Sequence, residues 1–326
     1  MIVNLFRHTQ AISILSILGL CIYLWMGVSF HEIAVNTSVK NPLFDALFNP
    51  IMPFQFLQRI VVTGLVFWQC VFFNKIMVAQ KILPSNSFYP ALFYLIVLSL
   101  SPKALYLSPE LCALSFLLLA INKTLACYLS KEAYTSVFEL SLYFSIAAIL
   151  HPPLVVFIPL VWFGMSIFSL GEWRHWSLSL LGIVSPWLIL ISINSYLNFP
   201  EFNIANFYSF IFIAHENLQL TTLDSIELIG LALLTLVCIN KLLTSISREN
   251  IKSRKSYVFI LWFFPFSVLY ILLNPSNLWL KLLVLTIPTT AVISNYFYYN
   301  KRTNWLNFIG ILILAFLFIN HIYNFN

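Results

Sequence analysis

The chain has few charged residues for its length. Of 326 residues, 9% are charged and 60% are hydrophobic, whereas a soluble domain carries about 25% charged and about 45–50% apolar residues. So few charges cannot cover the water-facing surface of a folded chain of this size. The composition therefore excludes a soluble enzyme, a disordered protein and a secreted disulfide scaffold. It predicts an all-α fold, a polytopic bundle of transmembrane helices.

Glycine and cysteine are also scarce and paired histidines are absent, and each of these features excludes a class of site. With 8 glycines, the sequence has no phosphate-cradling loop of the P-loop or dinucleotide type. The 5 cysteines lie in or beside apolar runs without a C-x-x-C pair, and the 6 histidines form no H-x-x-x-H pair. No G-x-S-x-G elbow occurs. We therefore expect no disulfide, no metal site and no cofactor.

Long apolar runs dominate the sequence instead. A spanning helix needs about 20 mainly apolar residues, and eleven runs come near that length. The predicted spans are residues 11–30, 56–74, 86–101, 108–128, 134–150, 153–170, 176–196, 225–244, 257–273, 277–297 and 304–322. The first run is longer than the apolar core of a signal peptide, and no small-residue cleavage site follows it. We therefore expect it to be retained as a span.

One apolar stretch must contain a break. Residues 134–170 are too long for a single spanning helix, which rises about 1.5 Å per residue. The break is predicted at His151-Pro152-Pro153. A proline disfavours the helical conformation in the residue before it, and the second proline can open the next helix. The sequence thus predicts a tight hairpin between the fifth and sixth spans.

The basic residues predict the orientation of the chain. Lys and Arg accumulate on cytoplasmic loops, and the run Arg248–Lys255 falls on the inner side when the N-terminus is cytoplasmic and the C-terminus is outside. This orientation requires residues 204–220 to lie on the outer interface without spanning. The long outer loops are then 31–55 and 197–224, within one integral membrane domain, 1–326. Because topology explains the basic run, we expect no nucleic-acid binding.

Several ionisable residues fall at the outer ends of the predicted spans. Ionisable groups inside or at the edge of a membrane are costly, so each is a candidate functional residue. These candidates are Glu32, Arg59, Lys103, Glu110, His151 and Lys281. A structural role also stays open for each, because Lys and Arg at helix ends extend to the interface and a Glu in the first turn complements the helix dipole.

The order of these features resembles the multi-spanning (GT-C type) glycosyltransferases, which use polyprenyl-phosphate-linked sugars. The resemblance covers about residues 11–195. Glu32 follows the first span directly, and Asp45 lies on a short predicted helix at the membrane surface. Glu110 stands at the start of a later span, and an apolar helix ends at His151-Pro152-Pro153, with histidine where those enzymes often have another basic residue. The paired-acid motif of many such enzymes is absent.

The resemblance implies a role for each candidate. Glu32 would be the general base that deprotonates an acceptor hydroxyl, with Asp45 as the second candidate. The residues that would bind the substrate are Arg59, Lys103, Glu110, His151 and Lys281. The basic members of this set would neutralise the departing lipid phosphate.

The chain as a whole also looks like bacterial inner-membrane proteins of this length that share the His-Pro-Pro hairpin, which implies a multi-pass place in that membrane. Two other functions stay open. A lipid or small-molecule transporter would need ionisable or unwound elements near the midplane, where the spans offer mainly Gln69, Asn194 and prolines. A non-catalytic scaffold or accessory subunit of a cell-envelope complex would need no such group.

Overall fold

A computed structural model describes residues 6, 11–26, 44, 48, 50, 51, 53–83, 87–100, 106–128, 133–197, 222–273, 278–300 and 310. Every regular element in these residues is a helix. The all-α class predicted from composition is therefore confirmed for this part of the chain.

The described residues form ten α-helices. They are α1 (Ala11–Met26), α2 (Gln55–Ala79), α3 (Tyr89–Ser99), α4 (Pro109–Ala126), α5 (Ala133–Leu150), α6 (Pro159–Ile167), α7 (Trp173–Leu197), α8 (Thr222–Ser245), α9 (Ile251–Leu273) and α10 (Leu278–Tyr299). Two 3-10 helices, Pro152–Phe157 and Ile246–Arg248, precede α6 and α9.

Six helices are long and apolar enough to cross a membrane: α2, α4, α5, α7, α8 and α9. Helix α1, helix α3 and the stretch Pro152–Ile167 are apolar but shorter, and α10 covers the predicted span 277–297. Residues 204–220 and, apart from one position, the span 304–322 lie outside the described residues. The structure thus supports a helical membrane protein, and the number eleven and the orientation of the termini stay predictions.

The chain breaks where the prolines predict. Helix α5 ends at Leu150, and His151 has the extended conformation, with φ −138° and ψ 97°. The structure differs from the predicted single span 153–170, because a 3-10 helix comes first and α6 begins only at Pro159. Pro159 lacks an N–H and has a fixed φ, which suits the first position of a helix. The result is a rigid corner that carries His151.

Helix α7 packs closely along α5 at Gly182. A Cβ atom at this position would lie 2.6 Å from the Phe138 carbonyl oxygen and 2.8 Å from the Ser141 Cβ. A glycine therefore lets the two backbones approach, as small residues commonly do between membrane helices. This contact fixes α5, and with it the corner at His151.

Gln69 joins three helices inside the bundle. Its Nε2 donates to the Leu111 carbonyl at 2.9 Å and to Ser115 Oγ at 2.8 Å, both on α4. Its Oε1 accepts from the Tyr94 hydroxyl of α3 at 3.2 Å. The buried amide is thus satisfied by hydrogen bonds within the bundle. This argues against a role for Gln69 as a substrate-binding group of a transporter at the membrane midplane. The same bonds hold the start of α4, where Glu110 lies, against α2.

Two sets of contacts, one at each end of the bundle, define which helix ends lie together. The start of α4, the corner after α5 and the last turns of α9 meet at one end, through Glu110, His151 and Tyr270. The turn after α2 meets the first turn of α9 at the other, through Lys81 and Ser253. We call these the Glu110 end and the Lys81 end. In the predicted orientation the Glu110 end faces outward and the Lys81 end faces the cytoplasm.

Candidate functional site

Glu110 is placed by the cap of α4. Ser108 is extended, with φ −126° and ψ 152°, and its hydroxyl accepts a hydrogen bond from the Leu111 N–H at 3.2 Å. Serine is a preferred N-cap residue, and Pro109 suits the first helical position. Glu110 therefore lies in the first turn, where the positive end of the helix dipole favours a carboxylate. It is nevertheless only 9% exposed.

His151 reaches Glu110 from the corner after α5. Its Nδ1 lies 3.4 Å from Glu110 Oε1, and its ring is 5% exposed. This distance is within ion-pair range but longer than an ordinary N–H···O hydrogen bond. A carboxylate and an imidazole at this separation can exchange a proton with each other.

Tyr270, on α9, completes the group. Its hydroxyl lies 2.8 Å from His151 Nε2, and the residue is 0% exposed. When His151 is neutral with its proton on Nδ1, toward Glu110, Nε2 accepts the hydrogen bond that the Tyr270 O–H donates. When His151 is protonated, Nε2–H donates to the Tyr270 oxygen. The three side chains, which we call the Glu110 triad, can therefore accommodate either charge state of the imidazole.

The Glu110 triad contains an unsatisfied atom. Glu110 Oε2 is buried and has no hydrogen-bond partner among the described residues. The hydroxyl of Ser267, one turn before Tyr270 on α9, is in the same condition. A buried polar atom without a partner costs about 1–3 kcal/mol, and more for a charged group. Such a cost at a carboxylate is typical of a site that meets a ligand or exchanges a proton.

Arg59 lies on α2, and its charge acts on Tyr106, just before the cap of α4. The Tyr106 hydroxyl is buried and has no hydrogen-bond partner in the described part of the chain. Burial raises the pKa of this hydroxyl, and the positive charge of Arg59 partly offsets the rise. Arg59 is partly exposed. The positive charge of Arg59 therefore acts close to the start of α4, at Tyr106, which lies four residues before Glu110 in the chain.

The structure brings together two of the residues that the sequence singled out, Glu110 and His151, and places Arg59 near their helix. Glu32, Asp45 and Lys103 lie outside the described residues. Lys281 lies in the first turns of α10, and its side chain is not described either. The predicted roles of these four therefore stay predictions.

Sequence reasoning missed Tyr270 and Tyr106. Tyr270 stands in the apolar run 257–273, where a tyrosine near a span end is ordinarily assigned to the interfacial aromatic belt. The sequence did contain one signal for Tyr270: the predicted topology puts it at the same outer end of the bundle as Glu110 and His151. Among the described residues, no three His, Cys, Asp or Glu side chains are grouped so that they could hold a metal ion.

Comparisons with known proteins give a family and no function. No curated protein and no solved structure matches the chain. A family of unknown function, DUF6427, matches residues 10–325, which is nearly the whole sequence. The chain belongs to this family.

Proposed function

We propose that the protein is a membrane enzyme that transfers a sugar from a polyprenyl-phosphate carrier to an acceptor hydroxyl at the outer face, with Glu110, beside His151, as its proton acceptor. The observation that carries the proposal is the buried Glu110 carboxylate, with one oxygen toward His151 and the other without a hydrogen-bond partner among the described residues. A buried carboxylate beside an imidazole is a suitable general base, because the carboxylate can accept the proton of a hydroxyl and the imidazole can donate a hydrogen bond to it.

The transfer needs one bond made and one bond broken. The acceptor hydroxyl oxygen attacks the anomeric carbon, and the bond from that carbon to the carrier phosphate breaks with its electron pair going to the phosphate oxygen. The hydroxyl proton goes to Glu110 Oε2, and the nearby imidazole of His151 stabilises the carboxyl group in either protonation state. Arg59, near the same helix, would balance the negative charge that develops on the phosphate.

Access to the carboxylate requires movement, because Glu110 Oε2 is buried. Helix α9, which carries Tyr270, contains Pro265 five residues earlier. A proline inside a helix removes one backbone hydrogen bond and is a common position for bending. A bend there would carry Tyr270 away from His151 and expose the Glu110 triad to a substrate in the outer leaflet.

The test measures polyprenyl-phosphate sugars in lipid extracts of cells by mass spectrometry. Cells from which the gene is deleted are complemented with wild-type protein, with Glu110→Gln or with Glu139→Gln. Glu139 is a matched control, since it is also a membrane-segment acid in an ion pair, with Lys123, but it lies toward the Lys81 end. Immunoblots of the membrane fraction establish equal amounts of the three proteins.

We expect the deletion and Glu110→Gln to accumulate a polyprenyl-phosphate sugar, and the wild type and Glu139→Gln to keep the normal level. The loss should be at least about a hundredfold in turnover, because general acid–base groups contribute about 10²–10⁴. A deletion without accumulation would exclude the lipid-linked sugar and leave a scaffold or transporter. Accumulation in the deletion but normal turnover in Glu110→Gln would assign the base to Glu32 or Asp45.

A further inference from the structure

The turn after α2 has an unusual backbone. Lys81 has φ 56°, in the left-handed region that residues other than glycine seldom adopt. The N–H groups of Ile82 and Leu83 both bond to the Met77 carbonyl, at 3.0 and 3.1 Å, so the turn closes back on the helix end. The position of Lys81 is therefore well determined by the backbone.

Helix α9 holds this turn from the side. The Ser253 hydroxyl donates to the Lys81 carbonyl at 2.6 Å, and the Tyr257 hydroxyl donates to the Ile82 carbonyl at 3.1 Å. Asn295, on α10, donates through Nδ2 to the Tyr257 oxygen at 2.5 Å. Three hydrogen bonds thus join the end of α2, the start of α9 and α10 into one rigid corner.

This corner brings two positive charges together. Lys252 immediately precedes Ser253 and is partly buried, so the hydrogen bond from Ser253 to the Lys81 carbonyl places the two lysines close together, and their positive charges repel. Within the described residues, the ion pairs are Lys123 with Glu139 and His151 with Glu110, so neither lysine has a carboxylate partner there. The neighbouring acid, Glu249, interacts with the Tyr299 hydroxyl. Repulsion that the backbone enforces favours an anion between the two lysines.

The side of α9 that faces away from Ser253 and Tyr257 is apolar and exposed. On α9, Ile251, Val258 and Trp262 are exposed and fall near a single side of the helix, and Trp262 also packs on Phe163 of α6. An acyl chain can lie along this side while a headgroup reaches the lysines. Basic pockets between membrane helices at the cytoplasmic surface commonly bind anionic lipid headgroups.

We propose that Lys81 and Lys252 bind the phosphate headgroup of an anionic phospholipid in the leaflet at the Lys81 end, with its acyl chain against α9. This site is separate from the Glu110 triad at the opposite end of the bundle. It also differs from a topological role of the basic residues, which would treat every charge of the loop alike.

Arg254 provides the matched control. It lies two residues after Lys252 on the same helix and is exposed. Residues two apart do not share a helix face. Removing its charge changes the loop's total by the same amount as removing that of Lys252, but it leaves the two-lysine site intact.

The test uses full-length protein purified in neutral detergent and incubated with mixed micelles of phosphatidylglycerol and phosphatidylcholine. Bound lipid is quantified by extraction and mass spectrometry, and size-exclusion chromatography establishes that each variant is monodisperse. We expect Lys81→Gln and Lys252→Gln each to weaken phosphatidylglycerol retention about fivefold, from the contribution of one lysine near an anionic surface. Arg254→Gln and the charge-conserving Lys252→Arg should retain the lipid as the wild type does.

Equal retention by Lys81→Gln, Lys252→Gln and Arg254→Gln would overturn the proposal and leave a topological role. Inorganic phosphate is added in a second arm. Displacement of phosphatidylglycerol by millimolar phosphate alone would show that the site takes a free anion and would overturn the lipid assignment, whereas retention in its presence supports it.

Discussion

The two ends of the bundle use charge in opposite ways. At the Glu110 end a carboxylate, an imidazole and a tyrosine are buried together, and one carboxylate oxygen has no partner in the described chain. At the Lys81 end the lysines are exposed or partly buried: the Lys255 ammonium donates to Ser169 Oγ, and the Lys81 backbone carbonyl accepts from Ser253 Oγ. Buried charges interact strongly because little water screens them, whereas exposed charges are screened within about 8–10 Å. This difference is the basis for proposing proton chemistry at one end and association with an anionic lipid at the other.

The largest effect on stability is expected at the Glu110 end. His151→Ala removes the neighbour of Glu110 and the hydrogen-bond partner of Tyr270, and a buried pair broken on one side loses about 3–5 kcal/mol. The measurement is the free energy of unfolding in detergent, by denaturant titration.

His175 is the control for that variant. It is 5% exposed, as His151 is, but both of its ring nitrogens lack hydrogen-bond partners among the described residues, and its ring stacks on Tyr134 at 4.7 Å. His175→Phe keeps an aromatic ring for stacking and breaks no side-chain hydrogen bond. We expect it to change the free energy of unfolding by less than about 1 kcal/mol. Equal losses in the two variants would show that the contacts of His151 in the Glu110 triad stabilise the fold no more than those of His175 do.

The next effect is expected for Tyr270→Phe, which deletes only the hydroxyl that bonds to His151 Nε2. A buried hydrogen bond to a group that can carry charge contributes about 1.5 kcal/mol. The same denaturant titration measures it. Because Glu110 and His151 remain, the variant should also keep most of the proposed transfer activity. A complete loss of activity in a stable Tyr270→Phe protein would instead place the tyrosine in the chemistry.

A smaller effect is expected at the Lys81 end. Ser253→Ala removes the hydrogen bond from the Ser253 hydroxyl to the Lys81 carbonyl, and side-chain hydrogen bonds between membrane helices average about 0.6 kcal/mol. The free energy of unfolding should fall by about that amount, while phosphatidylglycerol retention falls because Lys81 is released from its position. A Ser253→Ala protein that loses stability but still retains phosphatidylglycerol would show that this hydrogen bond does not position Lys81 for the lipid.

The smallest effect is expected for Lys255→Gln. Lys255 Nζ donates to Ser169 Oγ at 3.1 Å and lies 5.6 Å from the Tyr128 ring centroid, in an exposed setting. Exposed charge contacts contribute little, so the free energy of unfolding should change by no more than about 0.5 kcal/mol. A loss as large as that of Tyr270→Phe would show that charges at the Lys81 end are less screened than their exposure indicates.

Local sequence features predicted part of the Glu110 end. The apolar run 108–128 predicted the start of α4 to within one residue, and the His-Pro-Pro break predicted the corner at His151, because both depend on the chemistry of adjacent residues. Ionisable residues in apolar runs could be singled out because charges are costly there. These features selected Glu110 and His151 without showing that the two side chains meet.

Contacts between distant segments could not be predicted from one sequence. Tyr270 reaches His151 from a helix more than a hundred positions later, and the pairing of α9 with the corner sets that contact. Lys81 meets the start of α9 because a left-handed turn is closed by Ser253, and neither residue type indicates such a turn. Periodicity was also uninformative within the spans, since helices surrounded by lipid and by other helices are apolar on all sides.

Glu110 and His151 are proposed to act together as one proton-accepting unit. The most direct measurement compares Glu110→Gln, His151→Gln and the double variant for turnover of a polyprenyl-phosphate sugar, in cells that contain equal amounts of each protein. Residues that act as a unit are strongly non-additive. We therefore expect the double variant to be no slower than the slower single variant. Losses that multiply in the double variant, or normal turnover in either single variant, would contradict it.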